Sequence, residues 1–140
     1  MLCQNGFDAA ILHFNPDINL DWLDSTAPVI DASKNLDLTA NDWILIPEDD
    51  IEALEIFAKI PCKRIIFCQG HFNIFKALPY KKTWRDYGVN HVLASSNQIK
   101  SYIKTVFGIH SNLIPLSINH DIFKPNFRTP YLTDFAMIPV

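Results

Sequence analysis

The chain has 140 residues, enough for one domain with a sizeable core. Apolar residues make up 49 % and charged residues 19 %, a globular balance rather than a disordered one. A formal net charge of −3 gives no electrostatic case for nucleic acid, and no apolar run approaches the length of a membrane span. Residues Met1 to Gly6 have no basic n-region and no apolar h-region, so no secretory signal is read there. Cys3, Cys62 and Cys68 are odd in number and lack zinc-like spacing. They read as buried or free thiols in a reducing compartment, and the expected location is cytoplasmic.

In chain order, Ala9-Ala10-Ile11-Leu12 reads as a short buried strand after the tail of a helix, and Val29-Ile30 as a weaker strand. Asp42 to Ile46 is a strong strand ended by Pro47. Glu48-Asp49-Asp50 opens a helix in which Ile51, Leu54, Phe57 and Ala58 recur at helical spacing. Its acids sit where the helix dipole favours anions, with Asp49 and Glu52 in capping-box spacing and Pro61 as the stop. Arg64 to Cys68 is another strand, closed by Gln69-Gly70. Residues 71–87 are rich in aromatics and bases and carry no clear period. His91 to Ala94 is a strand. Ser95-x-x-Gln98 reads as a capping box for a helix with Ile99, Tyr102-Ile103 and Val106-Phe107 on one stripe and Gly108 at its end. Asn112 to Ile114 is the last strand of the series.

Strands alternate with helices, and the strands read as continuous apolar runs. The fold class expected is α/β, a Rossmann-like, mainly parallel sheet with helices on both faces. In such sheets ligands bind beyond the carboxyl ends of the strands. The residues there are His13, Pro47-Glu48, Gln69-Gly70-His71, Ser95-Ser96 and Pro115 to Asn119.

Each has a plainer reading beside the functional one. Glu48 is a hydrogen-bond acceptor for a hydroxyl or a base, against a dipole partner for the helix that follows. Gln69 and His71 are donor and acceptor at once and suit hydroxyl groups, against a solvated loop. Gly70 gives the backbone a sharp turn at the strand end. Ser95 is read as the helix cap, and Ser96 as a neighbour of a helix N-terminus suited to a phosphate or hydroxyl. Lys76, Lys81, Lys82 and Arg85 lie among Phe72, Phe75, Tyr80, Trp84 and Tyr87. That mixture reads either as a peripheral membrane contact or as a loop-helix with one buried and one solvated face. No cofactor and no metal site is expected, and no residue is assigned as catalytic. The sequence has no Walker or dinucleotide glycine loop and no G-x-S-x-G elbow.

Three blocks then carry a resemblance. They are Asp42-Trp43-Ile44-Leu45-Ile46-Pro47-Glu48, then Arg64 to Gln69, then Ala94-Ser95-Ser96 through Ile114-Pro115 to Phe123-Lys124-Pro125. Residues 42–125 resemble the amino-terminal domain of retaining, family-4-type glycosyltransferases of the two-domain GT-B fold. The third block is the most specific, being similar to that family's pattern of serine, then Ile-Pro-Asn-Gly-Ile-Asp, then Phe-x-Pro. Leu116-Ser117 stand here in place of Asn-Gly, and Asn119 where Asp is common.

The resemblance implies transfer of a sugar from a nucleotide sugar to a sugar or lipid-linked acceptor, in surface polysaccharide or glycan synthesis. In that family the nucleotide sugar is held mainly by the second domain. Residues 1–124 are accordingly expected to be an acceptor-side Rossmann-like domain lacking its first strand, and residues 125–140 a linker and the start of a second domain. The chain alone is then expected to be inactive. Glu48, Gln69, Gly70, His71, Ser95, Ser96 and Asn119 are the acceptor-cleft candidates. The competing classes are a non-catalytic α/β binding module, a subunit of a split enzyme, and a phospho-acceptor receiver domain. A receiver needs Asp at a middle strand end, where Gln69 stands here, and Lys at the last, where Pro115 stands.

Overall fold

The computed structural model describes residues 2–14, 27–34 and 36–118. Asn119, expected in the cleft, and residues 125–140 lie outside the described residues. A 3-10 turn, Cys3–Asn5, precedes β1 (Ile11–His13), where the sequence suggested the tail of a helix. β1 pairs in parallel with β2 (Val29–Asp31) as a separate two-stranded sheet.

The main sheet holds β3 (Trp43–Pro47), β4 (Lys63–Cys68), β5 (His91–Ala94) and β6 (Asn112–Leu113). All pairs are parallel and the spatial order is β3-β4-β5-β6. Helix α1 (Ile51–Phe57) joins β3 to β4, and α3 (Asn97–Phe107) joins β5 to β6. Between β4 and β5 the chain forms α2 (Ile74–Ala77) and a 3-10 turn, Trp84–Tyr87. The α/β class and the parallel sheet are as the alternating pattern predicts.

The order of the strands decides where the helices go. A right-handed crossover repeated in one direction across a sheet puts every connection on the same face. The burial follows. Ile44, Ile46, Ile66, Cys68, Val92 and Ala94 alternate along their strands and are buried. They form one core with Leu54 and Phe57 of α1, Ile99 and Ile103 of α3, and Trp84. Each fully buried isoleucine there contributes about 2–3 kcal/mol.

The alternate residues point the other way. Trp43 is 48 % and Leu45 56 % exposed, and Ile65, Phe67 and Leu93 are half-buried. No helix among the described residues covers that face. The strand burial therefore alternates although the sequence is apolar at every position. Trp43 partly compensates by lying under the Lys63 ammonium, 4.9 Å from its ring centre, and 5.3 Å from the His91 ring.

Local chemistry sets the element ends. Pro47 is the last residue of β3, a strand on the edge of its sheet, where a missing N–H costs no ladder bond. The cap of α1 is Asp50, whose carboxylate accepts from Ala53 N–H at 2.9 Å, rather than Asp49 of the predicted capping box. Arg64 closes the other end of α1. Its guanidinium donates to the Phe57 carbonyl, to the Ile60 carbonyl at 3.0 Å and to the Gly88 carbonyl at 3.2 Å. A cation on the last carbonyls of a helix satisfies both their lone pairs and the dipole. Gly108 ends α3 at φ +62°, the left-handed conformation that a C-terminal glycine supplies.

Candidate functional site

Because β3, β4, β5 and β6 are parallel, their carboxyl ends lie along one edge. Six of the seven predicted residues follow those ends: Glu48 after β3, Gln69, Gly70 and His71 after β4, and Ser95 and Ser96 after β5. The structure joins them in pairs rather than around one point.

Glu48 is buried, at 5 % exposure. Its Oε1 accepts from the Gly70 N–H at 2.8 Å and from the Asn73 side-chain amide at 3.2 Å. The contact observed is with the turn after β4, beside the two readings that the sequence suggested, a ligand acceptor or a dipole partner of the following helix. The carboxylate reaches across from the end of β3 and fastens the turn after β4. Gly70 is needed for that closeness and not for a left-handed turn, since its φ is not positive. A Cβ there would lie 2.9 Å from the Asn73 amide nitrogen and 3.6 Å from Glu48 Oε1. Asn73 is the partner that sequence reasoning missed, and a lone Asn in an aperiodic segment carries no signal for it.

Cys68 sits inside this brace with no exposed surface. Burial, and then the nearby Glu48 carboxylate, push its thiol up to about 12. It is a neutral thiol at physiological pH, not a nucleophile.

Ser95 extends the β4–β5 pairing. Its N–H donates to the Cys68 carbonyl at 3.0 Å, and its Oγ to the Gln69 carbonyl at 3.5 Å. The cap of α3 is Ser96, which accepts from Ile99 N–H at 3.3 Å. The capping role expected of Ser95 therefore belongs to its neighbour, one residue on. Each of the two serine hydroxyls thus makes one hydrogen bond within the protein, while the Gln69 side chain is exposed.

His71 leaves the edge and joins an aromatic cluster. Its ring is 4.1 Å from Phe72 and 5.4 Å from Tyr102 of α3, and Phe75 meets Tyr102 at 6.2 Å. The imidazole is half-buried among these rings. Nothing in the local sequence period announces that contact, because it is made across to a different helix.

Beyond the strand ends lies a shallow groove of ≈ 700 Å³, between the first turns of α3 and the chain leaving β6. Ser95, Ser96, Gln98 and Ser101 line one side, and Leu113 and Pro115 the other. Its polar wall consists of hydroxyls and amides without a formal charge. Among the described residues no three of His, Cys, Asp and Glu gather where they could hold a metal ion, and no helix is long and apolar enough to cross a membrane. No protein-family model, curated protein or solved structure gave a significant match to the chain.

Proposed function

We propose that this chain supplies the acceptor side of a glycosyltransferase that moves a sugar from a nucleotide-sugar donor to an acceptor hydroxyl. The observation that carries the reading is the groove at the carboxyl edge of the parallel sheet, walled by serine and amide side chains, with the exposed Gln69 at the end of the neighbouring strand. The resemblance of residues 42–125 to the family-4 amino-terminal domain supports the same reading. Amides and hydroxyls match the alternating donors and acceptors of a sugar.

The division of labour follows from the chemistry. Sugar transfer needs the acceptor hydroxyl held in line with the reacting carbon and the diphosphate leaving group stabilised by positive charge or oriented dipoles. The groove residues provide the first of these. Gln69 offers a free amide at a strand end, and Glu48 acts as a positioning residue by fixing the turn that presents it. The second falls to the donor-binding domain that the two-domain family places across the cleft.

The test is calorimetric and enzymatic. Methyl glycosides should bind the chain weakly, in the millimolar range, and Gln69→Ala combined with Ser101→Ala should abolish that binding. A panel of nucleotide sugars should give no micromolar binding and no transfer. Tight nucleotide-sugar binding with transfer by the chain alone, or indifference to every glycoside, contradicts the reading.

A further inference from the structure

Among the described residues Glu48 is the only formally charged side chain that is buried. A buried carboxylate is costly unless its oxygens are hydrogen-bonded or paired with a cation. Only half of that requirement is met. Both hydrogen bonds to the side chain, from the Gly70 N–H at 2.8 Å and the Asn73 amide at 3.2 Å, fall on Oε1. Among the described residues Oε2 accepts from no group, and no Lys, Arg or His lies within ion-pair distance of the carboxylate.

Oε2 is not sealed off either. Among the described residues the fully occluded side-chain atoms without a hydrogen bond are Trp84 Nε1 and Ser111 Oγ. Oε2 is therefore an anionic acceptor that keeps an opening to the outside on a side chain only 5 % exposed. The opening is at the carboxyl edge of the sheet, since Glu48 follows β3 and its partner Gly70 follows β4. Parallel sheets take their ligands there. The two bonds on Oε1 hold the side chain in one orientation, so Oε2 is placed before a ligand arrives and binding loses little side-chain freedom.

We infer that Glu48 touches the ligand, with Oε2 accepting a hydrogen bond from a hydroxyl of the acceptor sugar. This rests on the proposed binding of a sugar at this edge and makes Glu48 a specificity-determining residue. An ionised carboxylate only accepts. It admits an O–H and rejects a group in the same place that can only accept. Hydrogen bonds to a charged group are among the stronger ones, and a site built around such a group discriminates sharply against an analogue that lacks the donor. Bracing the turn after β4 needs one oxygen, which the carbonyl of a glutamine would supply as well. The second oxygen is what a carboxylate adds.

Glu48→Gln separates the two uses of the side chain. The glutamine carbonyl takes the place of Oε1 on Gly70 and Asn73, because the reverse orientation sets donor against donor. An NH2 then stands where Oε2 was, and the exposed acceptor has become a donor. Both chains are titrated by nuclear magnetic resonance with a methyl glycoside and with its monodeoxyfluoro analogues, in which fluorine replaces one hydroxyl and cannot donate. The unaltered chain should bind the analogue fluorinated at one ring position about tenfold more weakly than the parent glycoside. Glu48→Gln should bind the parent about tenfold more weakly than the unaltered chain does and lose that preference. Urea unfolding checks that the variant is folded. If it is not, the carbon-13 shift of the Glu48 carboxyl in the unaltered chain decides: it should move with saturation by the parent glycoside, and a fixed signal would overturn the inference. Equal binding of every fluorinated analogue, or the same preference in both chains, overturns it and leaves sugar binding at this edge standing. No binding of any glycoside to the unaltered chain overturns both.

Discussion

The Glu48 carboxylate sits at the end of β3 with one oxygen shared between two donors of the neighbouring strand-end turn. Removing it leaves the Gly70 N–H and the Asn73 amide without their acceptor. Glu48→Ala should cost about 1–3 kcal/mol by urea unfolding, the usual penalty for orphaned buried polar groups. Glu48→Gln retains an acceptor oxygen and should recover most of that loss. An equal loss in both variants would mean that the charge matters and the hydrogen bond does not.

Cys68 gives the pH dependence at the same scale. Its folded thiol lies near 12, above the ordinary value of 9.0. A raised value means that the folded state holds its proton more tightly than the unfolded one. The resulting stability is present in full below about pH 9 and is lost as pH rises from there toward 12. Unfolding free energies measured from pH 7 to pH 11 should decline more steeply for the unaltered chain than for Cys68→Ala. Parallel declines would contradict the assignment. None of this was legible in the sequence, where Cys68 is simply the end of an apolar run and its neighbour Glu48 is twenty residues away.

Among the elements, α3 was the most legible because three signals agree: a cap, an apolar stripe and a terminal glycine. The remaining ambiguity was which of two adjacent serines caps it, and spacing to Gln98 favoured the wrong one. Extended backbone at Ser96 (φ −149°, ψ 163°) places its hydroxyl over Ile99 N–H, while Ser95 is still part of the sheet. Ser96→Ala should therefore cost about 1 kcal/mol. Ser95→Ala, which loses only a long bond to the Gln69 carbonyl, should change stability by no more than about 0.5 kcal/mol. Comparable thermal shifts for the two variants would argue against this division.

The strands were legible as strands but not as one-sided ones. Trp43-Ile44-Leu45-Ile46 is apolar throughout, and hydropathy alone cannot say which residues face the helices. The consecutive strand order supplies that information. Ile46→Ala should cost about 2–5 kcal/mol, as a large-to-small change in a packed core does. Leu45→Ala, one residue away and 56 % exposed, should cost much less. Similar losses at both positions would mean that the second face is covered as tightly as the first. The segment from 71 to 87 resisted reading for another reason. Its helical piece is only four residues long, and its order comes from contacts with α3.

At the scale of the whole molecule, summed charge was the least informative number and its distribution the most. A net charge of −3 argues only against a uniformly basic surface. The acidic α1 end and the basic α3 end emerge once the sheet order places them apart. The candidate site was legible to the same partial extent. A parallel sheet fixes which edge holds the strand ends, so Glu48, Gln69, Gly70, His71, Ser95 and Ser96 could be named in advance. Which of them brace the fold and which face a ligand depends on side-chain contacts between elements, and no local pattern carries those.

The proposed function has a sugar binding at the carboxyl edge of the sheet. Amide chemical-shift mapping of the uniformly nitrogen-15-labelled chain during a methyl glycoside titration tests it most directly. The largest shifts should fall on Gln69 to Asn73 and Ser95 to Ser101, with saturable curves that vanish in the Gln69→Ala, Ser101→Ala double variant. Shifts confined to the opposite edge of the sheet or to the exposed face around Trp43 and Leu45, or no shifts at all, would contradict it.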